Sequence, residues 1–180
     1  AEGNAGRAYF ASFNCLLNPE QQEHFGFVRR SRRPPEDRIN CLLGFGYALL
    51  FSAVHAAIRV AGLDPALGVL HQPRSSAPPL VLDLMEIFRV PLWDIPLVGS
   101  INRGQWNPDD DFNIAPGRFW LSRAGKKKAI SLFEQRLEDT WKHPVLDYSL
   151  SYRRHLELEA RLLLKEMEGE TDLFAETRIR

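Results

Sequence analysis

The chain has 180 residues, with 23 lysines and arginines against 23 aspartates and glutamates, and 44% hydrophobic side chains. That length fits one domain with a sizeable core. The balanced charge excludes nucleic-acid binding through a global field and leaves only local patches, while the only cysteines, Cys15 and Cys41, have no metal-ligand spacing and fit a reducing cytosol.

In chain order, helical signals dominate. The chain opens on Ala1, Glu2 and Gly3 without an initiator Met, inside a helix already under way across Arg7, Ala8, Tyr9, Phe10 and Phe13. The expectation is that further residues precede it. Pro34, Pro35, Glu36 and Asp37 start a second helix, with Pro and acids in its first turn. It runs through Ile39, Leu42, Leu43, Leu50 and Val54 and ends at Gly62. The stretch from Cys41 to Ile58 is apolar and just long enough to span a bilayer, with Arg29, Arg30, Arg32 and Arg33 on one side. A helix buried all round in a soluble bundle explains it better, because the other amphipathic helices need a shared core. No membrane is expected.

Leu63, Asp64 and Pro65 form a turn, and residues 72–77 a polar loop. Pro78 and Pro79 open a helix on which Leu80, Leu84, Ile87 and Phe88 share one face, and Asp83 and Glu86 another. Pro91 and Pro96 interrupt or kink the next stretch of chain. Residues 106–111 read as loop. Residues 112–121, with Pro116 and Gly117 in the middle, read as a small β-hairpin. Ser122 caps a helix to about Trp141, which His143 and Pro144 break. A last helix, about Leu146 to Glu168, carries Tyr152, Leu156, Ala160, Leu163 and Met167 as a stripe, closed by Gly169. The fold class is mainly α, one helical domain over 1–180.

The chemistry centres on Gly68 to His71 and Asp83 to Glu86. One imidazole and two carboxylates stand in apolar sequence, where ionisable groups are costly unless paired or metal-bound. Two acids on one face of an apolar helix repel each other unless something cationic sits beside them. Arg29, Arg30, Arg32 and Arg33, then Arg74 three residues after His71, then Lys126, Lys127 and Lys128 are the phosphate-contact candidates. Each also fits an ordinary solvated surface. Lys126 to Lys128 oppose the macrodipole at a helix start, which favours a phosphate-facing role. His24 and His143 fall in loops, and His55 reads as a hydrogen-bonded core residue. Trp93, Trp106, Trp120 and Trp141 read as core or interface anchors rather than base-stacking platforms.

The pattern resembles the CRISPR-associated spacer integrase, the larger metal-dependent subunit of the CRISPR adaptation complex in antiviral defence. Glu2 and Gly3 followed by Ala8, Tyr9 and Phe10 resemble its first acidic motif. Arg30 through Tyr47 resembles the second block. Gly62 to Pro65 with Gly68 to His71 resembles the third, and Leu82 to Glu86 with Phe88 and Arg89 the fourth. Ile101, Asn102, Arg103, Asp110, Asp111 and Phe112 also fit. The family joins a small N-terminal β domain to a helical catalytic domain; only the latter has a counterpart here.

The resemblance implies Glu2, His71 and Glu86 as metal ligands, with Asp83 supporting the site, and Mg²⁺ or Mn²⁺ as the cofactor, which accept oxygen-rich, partly hydrated sites. It implies a DNA endonuclease and integrase that joins the 3′-hydroxyl ends of a prespacer to the CRISPR repeat. Partners would be DNA, a second copy of the chain, the small ferredoxin-like subunit and, in some members, an iron–sulfur exonuclease, fused or separate. The location would be a prokaryotic cytoplasm. A non-catalytic helical DNA-binding or scaffold module is the alternative. A zinc hydrolase ranks last, since no His-Glu-x-x-His motif is present.

Overall fold

The computed structural model describes residues 2–68, 78–143, 147–170 and 174, with side chains from residue 5 onward. It is mainly helical. The elements are α1 (Glu2–Ser12), a 3-10 turn (Phe13–Leu16), α2 (Pro19–Phe25), α3 (Arg38–Val60), α4 (Pro79–Arg89), a wide π-helical turn (Val90–Asp94), α5 (Ile95–Asn102), β1 (Phe112–Ala115), β2 (Arg118–Leu121), α6 (Arg123–Glu138), β3 (Thr140–Lys142), β4 (Ser149–Ser151) and α7 (Tyr152–Met167). The contacts divide the chain into two compact units, residues 1–46 with 94–132 and residues 47–93 with 133–180. The chain passes from one to the other inside α3, in the wide turn and inside α6.

In the first unit, Phe13, Phe25, Phe27, Ile39, Leu42, Leu43, Leu97, Ile101 and Trp106 are buried. An aromatic cluster anchors α1: Phe10 and Phe13 lie 6.1 and 5.5 Å from Phe27, centroid to centroid. The Tyr9 hydroxyl adds a 2.6 Å hydrogen bond to the buried Asp94 carboxylate. Strands β1 and β2 pair antiparallel, Phe112 opposite Leu121 and Ala115 opposite Arg118. The turn between them needs Gly117, whose φ is 68°, a region where a Cβ is strained. This is the hairpin expected over 112–121.

In the second unit, Leu50, Val54 and Ile58 of α3, Leu80, Val81, Leu84 and Phe88 of α4, and Leu156, Ala160 and Leu163 of α7 are buried. α4 packs against α7. The stripe expected on α7 is core as far as Leu163, while Met167 is exposed. α3 is long and apolar enough to cross a membrane by length and composition. In this fold it is a core helix on one side only: Leu42, Leu43, Leu50, Val54 and Ile58 are buried, whereas Gly44, Ala48, Ser52 and Ala56, spaced one turn apart, are exposed, so the helix is not buried all round as the sequence suggested. It ends where Gly62 allows: Gly62 N–H bonds the Arg59 carbonyl and Leu63 N–H the Ile58 carbonyl, with Gly62 at φ 84°.

Four further features depart from the sequence reading. Residues 34–37 precede α3 rather than opening it, because Asp37 is its cap: one carboxylate oxygen accepts the Asn40 N–H at 2.6 Å. α2 has no counterpart in that reading, and it places His24 in a helix rather than a loop. α6 stops at Glu138 rather than near Trp141, and α7 starts at Tyr152 rather than near Leu146. Between them a second hairpin forms, Trp141 opposite Leu150. The Asp139 carbonyl accepts the Tyr152 N–H at 3.0 Å, and Ser151 caps α7.

This second hairpin surrounds a buried imidazole. The His155 ring is fully buried, stacked 4.6 Å from Trp141 and 5.7 Å from His143, and its Nδ1 donates to the Ser151 carbonyl at 3.0 Å. Burial pushes its pKa below the ordinary 6.5, against the pull of the Ser151 hydrogen bond and with help from His143. The folded state therefore prefers the neutral ring. That stability is full above pH 6.5 and is lost as pH falls through the lower folded value. The thermal midpoint should drop between about pH 7 and about pH 5, and His155→Phe should flatten that slope. An unchanged slope in the variant would refute the assignment.

Candidate metal and nucleic-acid site

The four expected site residues fall differently on the structure. Glu2 is the first residue of α1, and its side chain lies outside the described residues. His71 and Arg74 lie outside them altogether. Asp83 and Glu86 stand on α4, whose first residue, Pro79, needs no N–H partner there.

The two acids do not share an environment. Asp83 is 7% exposed, whereas the Glu86 side chain is about half exposed, at 49%. Three residues on a helix leave about 60° between side chains, enough to turn one toward the core and the other outward. The expectation of two embedded carboxylates therefore holds for Asp83 alone. The cation beside Glu86 is Arg89, 3.0 Å away and one turn on. The Arg89 guanidinium lies 5.9 Å from the centroid of the Tyr47 ring of α3, which fixes its position. Among the described residues no group of three or more side chains is placed to hold a metal ion.

The basic run before α3 is a built loop. Its hub is Asn40, fully buried. The Asn40 Oδ1 accepts from Arg30 Nη1 and from the Ser31 N–H, both at 2.8 Å. Its Nδ2 donates to Asp37 Oδ2 at 2.6 Å and to the Arg29 carbonyl at 2.8 Å. Burial pushes the Asp37 carboxyl above its ordinary range, against these hydrogen bonds. Arg29 pairs with Glu36 at 3.1 Å, and Arg30 is held against the helix start. Arg32 and Arg33 project as exposed residues. Asn40→Ala removes four partners at once. It should lower the unfolding free energy by about 2 kcal/mol and the midpoint by about 5 °C in a thermal melt. A midpoint equal to that of the wild type would show that the loop stands without its hub.

The lysines divide likewise. Lys126 and Lys127 are exposed on the first turns of α6. Lys128 Nζ donates to the buried Asp111 carboxylate at 2.6 Å and to the Gln105 carbonyl at 3.2 Å, so its charge serves the fold. His55 is half-buried and stacks on Phe51, 6.2 Å between centroids. Trp93 and Trp106 are core, as expected, while Trp120 is exposed.

These elements define a mainly helical domain with Asp83 and Glu86 on α4 and a basic loop before α3. The chain belongs to the CRISPR associated protein Cas1 family, whose model matches residues 1–135. It is 54% identical over 180 residues to a CRISPR-associated exonuclease Cas4/endonuclease Cas1 fusion of Leptospira interrogans, covering 99% of this chain and 33% of that one. The chain thus spans about a third of the length of that relative. Among solved structures it resembles a casposase bound to integration product, with a TM-score of 0.84 and 25% identity, over 95% of this chain and 47% of that one. It also resembles a chain of a Cas6-RT-Cas1–Cas2 complex, with a TM-score of 0.82 and 29% identity, over 99% and 19%.

Proposed function

We propose that this chain is the helical catalytic domain of a divalent-metal-dependent DNA integrase and endonuclease. It would join the 3′-hydroxyl ends of a prespacer to the CRISPR repeat. The observation that carries this reading is membership of the Cas1 family, together with the likeness to a casposase bound to integration product over 95% of the chain.

The residues that would hold the metal are Glu2, His71 and Glu86, with Asp83 one turn before Glu86. The described part of this set suits the group: two carboxylates on one helix, one of them half exposed, supply the hard oxygens that Mg²⁺ and Mn²⁺ take. When bound, such a cation polarises a phosphodiester and stabilises charge on its oxygens. The chain's own residues would supply position. Arg89 holds the Glu86 carboxylate at 3.0 Å, and Asp83 lies buried one turn before it. Arg32, Arg33, Lys126 and Lys127 present positive charge for backbone phosphates, and Arg74 joins them by its place in the sequence. In the reaction the 3′-hydroxyl oxygen would bond to phosphorus and lose its proton to solvent, while the bond from phosphorus to the repeat strand's own 3′-oxygen breaks and that oxygen takes up a proton in turn. With water as attacker the same site cuts DNA. No protein nucleophile is required.

The partners proposed are a second copy of the chain and the small ferredoxin-like subunit, supported by the likeness to a Cas1–Cas2 complex. An exonuclease neighbour is supported by the Leptospira fusion. The location proposed is a prokaryotic cytoplasm. One observation favours the scaffold reading: Glu86 is already ion-paired, as an ordinary surface acid would be. A strand-transfer assay separates the two. A partial duplex with 3′ overhangs should be joined to repeat-bearing DNA with Mn²⁺ or Mg²⁺ and not with a chelator. DNA binding without any metal-dependent joining or cutting would establish the scaffold.

A further inference from the structure

Trp120 breaks the pattern of its type. Trp93 is fully buried and Trp106 is 5% exposed, whereas Trp120 on β2 is 39% exposed. The hairpin register explains where it points. Phe112 and Ile114 pair with Leu121 and Phe119 on one face, and Asn113 and Ala115 pair with Trp120 and Arg118 on the other. Opposite the indole stands an asparagine, and opposite Arg118 an alanine. Neither is large enough to cover the ring. The Arg118 guanidinium lies 5.2 Å from the indole centroid, so two flat groups share this open face, and none of its four residues is acidic. The Phe119 N–H donates to the Pro35 carbonyl at 3.0 Å, which brings the loop bearing exposed Arg32 and Arg33 and the Arg29–Glu36 pair alongside β2.

We propose that the outer face of the β1–β2 hairpin is a stacking platform for an unpaired base of single-stranded DNA. Trp120 and Arg118 take the base, and Arg32 and Arg33 take the neighbouring phosphates. This rests on the reading of DNA as the substrate. Unpaired bases offer a free π-face to an indole, whereas duplex bases are already stacked on one another. Four residues of one short hairpin, two of them Asn and Ala, are a small patch beside the roughly 800 Å² each partner gives a stable protein interface. They suffice for one or two bases.

The test is fluorescence anisotropy of the full protein with labelled oligo-dT and with a duplex of equal length. Trp120→Ala should weaken oligo-dT binding about tenfold or more, Arg118→Ala less, and Trp120→Phe by no more than about threefold, since a ring remains. Duplex affinity should stay within about twofold in all three. A thermal melt and the Trp120→Phe variant separate lost stacking from lost folding. Wild-type affinity for oligo-dT in Trp120→Ala overturns the platform, and so does an equal loss on duplex. Trp120→Ala that keeps oligo-dT but no longer binds the small partner subunit makes this face a protein contact and overturns it too. A wild-type protein that binds no DNA at all refutes the proposed function itself, which sets that failure apart.

Discussion

Alanine at Glu86 should abolish metal-dependent strand transfer, by about a thousandfold or more, while leaving salt-sensitive DNA binding within about twofold. Glu86 is half exposed at the edge of α4, whereas Asp83 on the same helix is buried. Its loss removes a proposed ligand without opening a cavity, so the fold should survive. Arg89→Ala should cost about tenfold, because the guanidinium orients the carboxylate but holds no metal in this reading. A positioning role predicts partial recovery at raised Mn²⁺ for Arg89→Ala and none for Glu86→Ala. His71→Ala should behave as Glu86→Ala does. Joining rates near wild type in Glu86→Ala, with the protein folded by circular dichroism, would refute the ligand set. Equal loss of binding and joining in that variant would favour the scaffold.

The helical architecture was legible because its signals are local and redundant. Pro78 and Pro79 before the apolar stripe of α4, Ser122 before α6, and Gly62 and Gly169 after α3 and α7 each mark a boundary by a backbone requirement. The first hairpin was legible from Pro116 and Gly117. The second was not: strands of three residues carry no period, and His143 with Pro144 reads as a simple helix break. α2 did carry a signal, Asn18 followed by Pro19 and Glu20, in the order of cap, first turn and acid. The site was legible only in part. That Asp83 and Glu86 are near neighbours follows from their spacing; that one is buried and the other ion-paired depends on what α4 packs against. The same limit hid the division of labour among the basic residues. Lys128 and Arg30 are tied to the fold by Asp111 and Asn40, and a run of like charges gives no hint of which members a buried acceptor will claim.

The largest expected effect on stability falls at Gly125. An alanine Cβ built there would lie 2.1 Å from the Asp111 carbonyl oxygen, a backbone atom that cannot swing aside. The close approach is fastened on every side. The Asp111 carbonyl accepts the Ser122 N–H at 2.9 Å, the Ser122 Oγ accepts the Gly125 N–H at 3.1 Å, and Lys128 one turn on reaches the Asp111 carboxylate. Helix propensity alone would favour alanine here by about 1 kcal/mol. The clash should outweigh it, so that Gly125→Ala lowers the unfolding free energy by about 3 kcal/mol net. Because the first turn of α6 must then move, Lys126 and Lys127 move with it, and DNA affinity should fall as well. Gly44 supplies the opposite case. It is exposed within α3, and an added Cβ meets nothing within 4 Å. Gly44→Ala should therefore raise stability by about 0.5–1 kcal/mol through the unfolded chain. Thermal melts of the two variants should move in opposite directions. A Gly125→Ala protein as stable as Gly44→Ala would mean that α6 does not seat against Asp111 as described.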